Sequence, residues 1–66
     1  MKNMIKVERA RHDLTQANLA EKIQVSRQTI HAIEKGKFVP STILALKMAR
    51  FFNLKVEDLF ILEEDD

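Results

Sequence analysis

Residues 14–36, LTQANLAEKIQVSRQTIHAIEKG, decide how the rest of this chain is read. Two short runs with apolar residues at helical spacing flank a three-residue break at Gln24-Val25-Ser26. In the first run Leu19, Ala20 and Ile23 share one face, and in the second Ile30 and Ile33 do. Thr15 is placed to N-cap the first helix and Ser26 the second. Each hydroxyl there accepts a bond from an amide that the helix itself leaves unpaired.

The outer face of the second helix carries the information. At about 100° per residue, Arg27, Gln28, His31, Ala32 and Lys35 share an arc of roughly 140°, with Thr29, Ile30 and Ile33 on the other side. The outer set holds cations, an amide, an imidazole and a methyl, and no acid. Such side chains suit base edges in a DNA major groove: arginine with guanine, glutamine with adenine, a methyl against thymine. An ordinary solvated helix face has much the same composition, so these five residues do not decide the matter alone.

The wider stretch does. It resembles the helix-turn-helix of the Xre/Cro/CI-type regulators, whose pattern is roughly L-T-Q-x-x-L-A-x-x-x-x-V-S-R-x-T-I-x-x-I-E-x-G. This sequence supplies Leu14, Thr15, Gln16, Leu19, Ala20, Val25, Ser26, Arg27, Thr29, Ile30, Ile33, Glu34 and Gly36. The likeness continues through Pro40-Ser41, the run LALKMARFF at 44–52, and Glu57-Asp58-Leu59-Phe60. It implies an all-α, five-helix, lambda-repressor-like DNA-binding domain over 1–66, with its helix-turn-helix core at 15–36. A short β-strand pairing of the N- and C-terminal segments accompanies it. The implied function is a sequence-specific transcriptional regulator of double-stranded DNA, a repressor, binding a palindromic operator as a homodimer.

The resemblance also distributes roles. Direct base readout falls to Arg27, Gln28 and His31, with Ala32 against a methyl. Contacts to the DNA backbone fall to Gln16, Thr29, Lys35 and Lys37, then to Lys6 and to Phe38 through its amide. Arg9 and Glu34 are expected to form a structural ion pair. Phe60, Ile61 and Leu62, in a strand at 60–63, are expected to serve dimerisation, with 64–66 a frayed acidic tail. Two residues depart from the family's pattern. Glu8 stands where an apolar residue is usual, so its carboxylate must reach solvent or pair with a base. Gln24 stands where many relatives have glycine, in a turn that often needs a positive φ.

Composition agrees with this and excludes alternatives. A chain of 66 residues is near the lower limit for folding without a staple. It has no cysteine, so disulfides and thiolate metal sites are out, and two histidines, His12 and His31, fall short of the four ligands of a structural zinc. No cofactor and no small-molecule ligand are expected. No apolar run reaches the 18 or so residues of a membrane span, and the start lacks the apolar region of a secretory signal. A soluble, cytoplasmic protein is the expectation. Residues 1–50 carry ten Lys/Arg against four Asp/Glu, a net +6, while 51–66 carry one against six, a net −5. A polyanion would be met by one part of the molecule and repelled by the other.

The flanking segments read less sharply. A first helix is expected from Met4 or Ile5 to His12, with Ile5, Val7 and Ala10 as its apolar positions. Gly36 should end the second motif helix as a left-handed cap, and Ser41 should cap a helix reaching Phe52, with Leu44, Met48 and Phe51 closing the core. Asn53 marks its stop, and a last short helix runs from Val56 to Leu59 or Phe60. Two other classes of function compete. A protein-interaction module of the same fold, such as an antitoxin or antirepressor, is compatible with every residue above. An enzyme is not: there is no nucleophilic cysteine, no clustered histidines and no glycine-rich phosphate loop.

Overall fold

The computed structural model describes residues 1–66. In chain order the elements are β1 (Lys2–Asn3), α1 (Ile5–Arg11), α2 (Gln16–Ile23), α3 (Arg27–Glu34), α4 (Thr42–Phe52), α5 (Val56–Leu59) and β2 (Phe60–Ile61). The fold is all-α and lambda-repressor-like, with one small antiparallel sheet pairing Lys2 with Ile61 and Asn3 with Phe60.

Helices α2, α3 and α4 start, and α1 to α4 stop, for local reasons. Thr15 Oγ1 accepts from the Asn18 amide at 3.0 Å, and Asn18 Oδ1 accepts from the Thr15 amide at 3.2 Å, a reciprocal cap. Ser26 and Ser41 cap α3 and α4 through the amides of Thr29 and Leu44, both at 3.1 Å. The first four helices all stop on a left-handed residue: Asp13 (φ 55°), Gln24 (φ 63°), Gly36 (φ 75°) and Asn53 (φ 57°). The next amide in each case donates five residues back, Leu14 to Arg9, Val25 to Ala20, Lys37 to Ala32 and Leu54 to Ala49, at 2.9–3.0 Å. That bond pattern closes a helix and reverses the chain. Leu14, Val25 and Leu54 then fold their side chains against the core. The left-handed turn at Gln24 is therefore present without the glycine.

The core draws on every helix. Ile5, Leu19, Ile30, Ile33, Met48 and Leu59 are fully buried, joined by Ala20, Ile23, Ala49, Phe52 and Phe60. Two expectations for the core need correction. In α1 the inward positions are Ile5 and Glu8, three apart on one face, whereas Val7 and Ala10 face solvent. Glu8 is buried to 6 % exposure and pairs with Arg11 at 3.1 Å, so its carboxylate finds a base as required. In α4 the core residues are Met48, Ala49 and Phe52, not Phe51. Phe51 is 36 % exposed and packs edge-on against Phe52, beside the ring of His12.

The C-terminal segment also differs from expectation. The strand is two residues long, and Phe60 turns into the chain's own core, leaving Ile61 and Leu62 exposed. In the acidic stretch, expected as a frayed end over 64–66, two side chains find partners. Glu63 and Asp66 hold the Met1 ammonium at 3.0 and 3.1 Å, and the Glu63 amide donates to Asp66 Oδ2 at 2.7 Å. The ammonium beside the sheet supplies the counter-charge for these two acids.

Gln24 generates a stability prediction. It is exposed, and its φ of 63° costs an L residue with a Cβ on the order of 1 kcal/mol. Gln24→Gly should raise the melting temperature by about 4–8 °C, read by thermal circular dichroism. A fall would show that the side chain stabilises the turn by more than its backbone strain costs.

Candidate nucleic-acid interface

Helix α3 is held from three sides. Its last residue, Glu34, receives a two-pronged bond from Arg9: Nε to Oε2 at 2.6 Å and Nη2 to Oε1 at 3.1 Å. The third prong of the same guanidinium, Nη1, donates to the Leu14 carbonyl at 2.9 Å. Gln16 Nε2 donates to Glu34 Oε1 at 3.2 Å. From the N-terminal strand, Asn3 Nδ2 donates to the Ile33 carbonyl at 2.9 Å, while its Oδ1 accepts from the Ile5 amide at 3.3 Å. The expected Arg9–Glu34 pair is therefore present, and largely buried, with side chains 15 % and 7 % exposed. Asn3 was not among the expected residues, because nothing in the local sequence indicates that its amide reaches a carbonyl thirty positions away.

Opposing effects set the charge state of this pair. Burial pushes the Glu34 carboxyl upward, but the hydrogen bonds from Arg9 and Gln16, with the charges of Arg9 and Lys6, outweigh it and hold it below its ordinary 4.5. The hydrogen bond to Glu34 outweighs the burial of Arg9 and raises the guanidinium further. Both groups are charged at neutrality, and the acid at the end of α3 is neutralised where it stands.

Outward from that anchor lies a polar cleft of about 440 Å³ lined by Lys6, Arg9, Gln16, Arg27, His31, Glu34 and Lys35, with no apolar side chain among them. The structure thus brings Lys6 and Gln16 together with three of the outer-face residues of α3. Gln28 is exposed on the same helix, and Ala32 is half-buried beside it. Thr29 is half-buried, its Oγ1 2.9 Å from Ser26 Oγ. Lys37 and Phe38 are exposed in the loop after Gly36. At the start of α2, Thr15 takes up the amides of Asn18 and Leu19, which leaves those of Gln16 and Ala17 without a partner inside the helix.

An exposed polar helix, set across a three-residue joint from a second helix and locked by a buried ion pair, defines a helix-turn-helix protein. Comparison with known families agrees: residues 5–59 match the Helix-turn-helix family, to which the chain belongs. It is similar to an uncharacterized HTH-type transcriptional regulator of Methanocaldococcus jannaschii, 61 % identical over 66 residues with both chains covered in full. A protein of the same description from Bacillus subtilis is 52 % identical, again over both full lengths. One from Archaeoglobus fulgidus is 48 % identical across all of this chain and 93 % of its own. The family is one of regulators, not of enzymes. No helix of the structure is long and apolar enough to cross a membrane.

The anchor can be tested by taking one partner away. Arg9→Ala strands a buried carboxylate and should cost about 3 kcal/mol in urea unfolding, while Arg9→Met combined with Glu34→Leu should recover most of the loss. The sign for pH follows from the lowered Glu34. Its contribution is fully present above the ordinary carboxyl value of 4.5 and is lost as pH falls through the lower folded value. The wild type should therefore lose stability below about pH 4.5 more steeply than the double variant. Parallel acid profiles would remove Glu34 from the account.

Proposed function

We propose that the chain is a sequence-specific, double-stranded DNA-binding transcriptional regulator, a repressor that acts as a homodimer on a palindromic operator. The observation that carries this is the acid-free outer face of α3, with Arg27, Gln28, His31 and Lys35 exposed and Ala32 half-buried among them, beside the start of α2. A helix bearing such donors fits the major groove, and two free amides at a positive helix end fit a phosphate. Arg27, Gln28 and His31 read base edges, with Ala32 against a methyl. Gln16, Thr29, Lys35 and Lys37, together with Lys6 and the Phe38 amide, position the backbone. The names of the relatives as transcriptional regulators support the same reading.

The dimer is supported by apolar surface that one copy does not cover. One groove is lined by Val39, Pro40, Leu46, Val56 and Phe60, and a second by Val56, Phe60, Ile61 and Leu62. They share Val56 and Phe60 and so form one continuous face. On that face Val39, Leu46 and Leu62 are 67 %, 53 % and 78 % exposed, a density of bare apolar side chains that marks a protein interface in so small a chain. Phe60, which lines both grooves from its seat on the core, and the exposed Ile61 and Leu62 supply the dimerisation residues of the C-terminal end. Two copies on a two-fold axis place their α3 helices about 34–36 Å apart, one turn of DNA.

Selection from random-sequence DNA tests the whole reading, and recovery of a two-fold symmetric site is the expected result. Gln28→Ala should lose about 1–3 kcal/mol on that site and little on random duplex. Lys37→Ala should weaken both and flatten the dependence on salt. Equal losses on every sequence would erase the division between base and backbone contacts. For the interface, Leu62→Asp with Leu46→Asp should turn a dimer into a folded monomer in sedimentation equilibrium; a wild type that is already monomeric at micromolar concentration and on DNA would dispose of the homodimer.

A further inference from the structure

The two histidines sit in opposite hydrogen-bonding surroundings. His12 Nδ1 lies 2.9 Å from the Glu8 carbonyl oxygen, which only accepts, so neutral His12 carries its proton on Nδ1. His31 Nδ1 lies 3.4 Å from Gln16 Nε2. Which end of the Gln16 amide is nitrogen is settled separately: the same atom faces Glu34 Oε1 at 3.2 Å, and a carboxylate only accepts. Gln16 Nε2 thus spends its two hydrogens on two acceptors, Glu34 Oε1 and His31 Nδ1. With Nδ1 accepting, the proton of neutral His31 stands on Nε2.

We propose that this relay, from Arg9 through Glu34 and Gln16, fixes His31 as an outward N–H donor and makes it a reader of guanine. The proposal rests on the placing of α3 in the major groove. Guanine shows two acceptors there, N7 and O6, and no donor; cytosine shows only a donor, adenine sets an amine beside its N7, and thymine offers a single acceptor, O4, crowded by its methyl. A side chain held as a pure donor is best matched by the guanine edge. The same accounting applies to Gln16: with both of its N–H groups engaged, its carbonyl oxygen is the end left to face outward. A DNA phosphate, which is itself only an acceptor, is then met by the backbone amides of Gln16 and Ala17. Gln16 is in this respect a positioning residue for His31.

Two measurements test this. Long-range nitrogen–proton correlation NMR of the free protein at about pH 8.5, where imidazoles are neutral, reads both tautomers. Expected are Nε2–H for His31 and Nδ1–H for His12, with Gln16→Met converting His31 to a mixture and leaving His12 unchanged. His31 found as Nδ1–H, or indifferent to Gln16→Met, overturns the relay. Selection from random DNA should recover a guanine in each half-site whose preference falls about tenfold in His31→Ala, at that position alone, and relaxes there in Gln16→Met. A wild-type motif that His31→Ala leaves unchanged, or weakens uniformly, overturns the assignment to His31 while leaving DNA reading intact. A wild type that selects no motif overturns DNA reading itself, and this proposal with it.

Discussion

The fork from Arg9 to Glu34 is the contact on which the rest depends, because it reconciles a residue with a position that does not suit it. Glu34 is the last residue of α3, where the helix dipole is negative and an acid is unfavourable. It also borders the cleft that we propose faces a polyanion. Left alone, it would weaken the helix and repel the ligand. The Arg9 guanidinium answers both at once, with two prongs on the carboxylate and a third on the Leu14 carbonyl. One planar group thereby fixes α1, the joint before α2 and the end of α3 in a single geometry. A lysine would offer the charge without that fork. Such a buried pair adds little to net stability compared with an apolar isostere, and its value lies in the orientation it enforces.

Around that anchor the chain uses one way of joining helices three times. Asp13-Leu14-Thr15 and Gln24-Val25-Ser26 each consist of a left-handed residue, an apolar residue packed on the core and a hydroxyl that caps the next helix. Asn53-Leu54-Lys55 follows the same order, although Lys55 caps α5 without a side-chain bond. The exception is the joint after α3. It begins with Gly36 in the left-handed region, but the next position holds Lys37 in place of an apolar residue, and the chain runs exposed through Val39 before Ser41 caps α4. A lysine there cannot pack on the core, so the loop stays on the surface. The one joint that breaks the pattern is the one beside the outer face of α3.

How far the sequence could be read follows the range of the forces involved. Caps, left-handed stops and the faces of α2 and α3 are local matters, set within four or five residues, and Thr15, Ser26, Gln24, Gly36, Ser41 and Asn53 all occupy their expected places. The Arg9–Glu34 pair is not local; it came from the family resemblance. Illegible were the contacts that need the three-dimensional arrangement. Helix α4 is apolar on most sides, so spacing could not choose between Phe51 and Phe52, which point about 100° apart. Asn3 resembles any polar residue near a terminus until the fold puts the Ile33 carbonyl in its reach. Glu63 and Asp66 read as free charges because their partner is the amino group at the other end of the chain.

The two-residue sheet gains its meaning from what it connects. An all-α fold of this size has no evident need for one, since two paired residues bury little and a lone two-stranded ribbon is barely stable in water. Its first strand holds Asn3, whose amide grips the C-terminal carbonyl region of α3, and its second holds Ile61, on the apolar face proposed for the partner copy. Asn3 pairs with Phe60, which reaches the core, and Lys2 pairs with Ile61. In the proposed dimer, the path from α3 to the partner copy therefore crosses one side-chain hydrogen bond and one pair of strands. A palindrome is read only if two α3 helices keep a fixed separation, so their tie to the interface must be short and stiff. Main-chain pairing supplies that stiffness where flexible side-chain contacts alone would let the helices drift out of register with the groove.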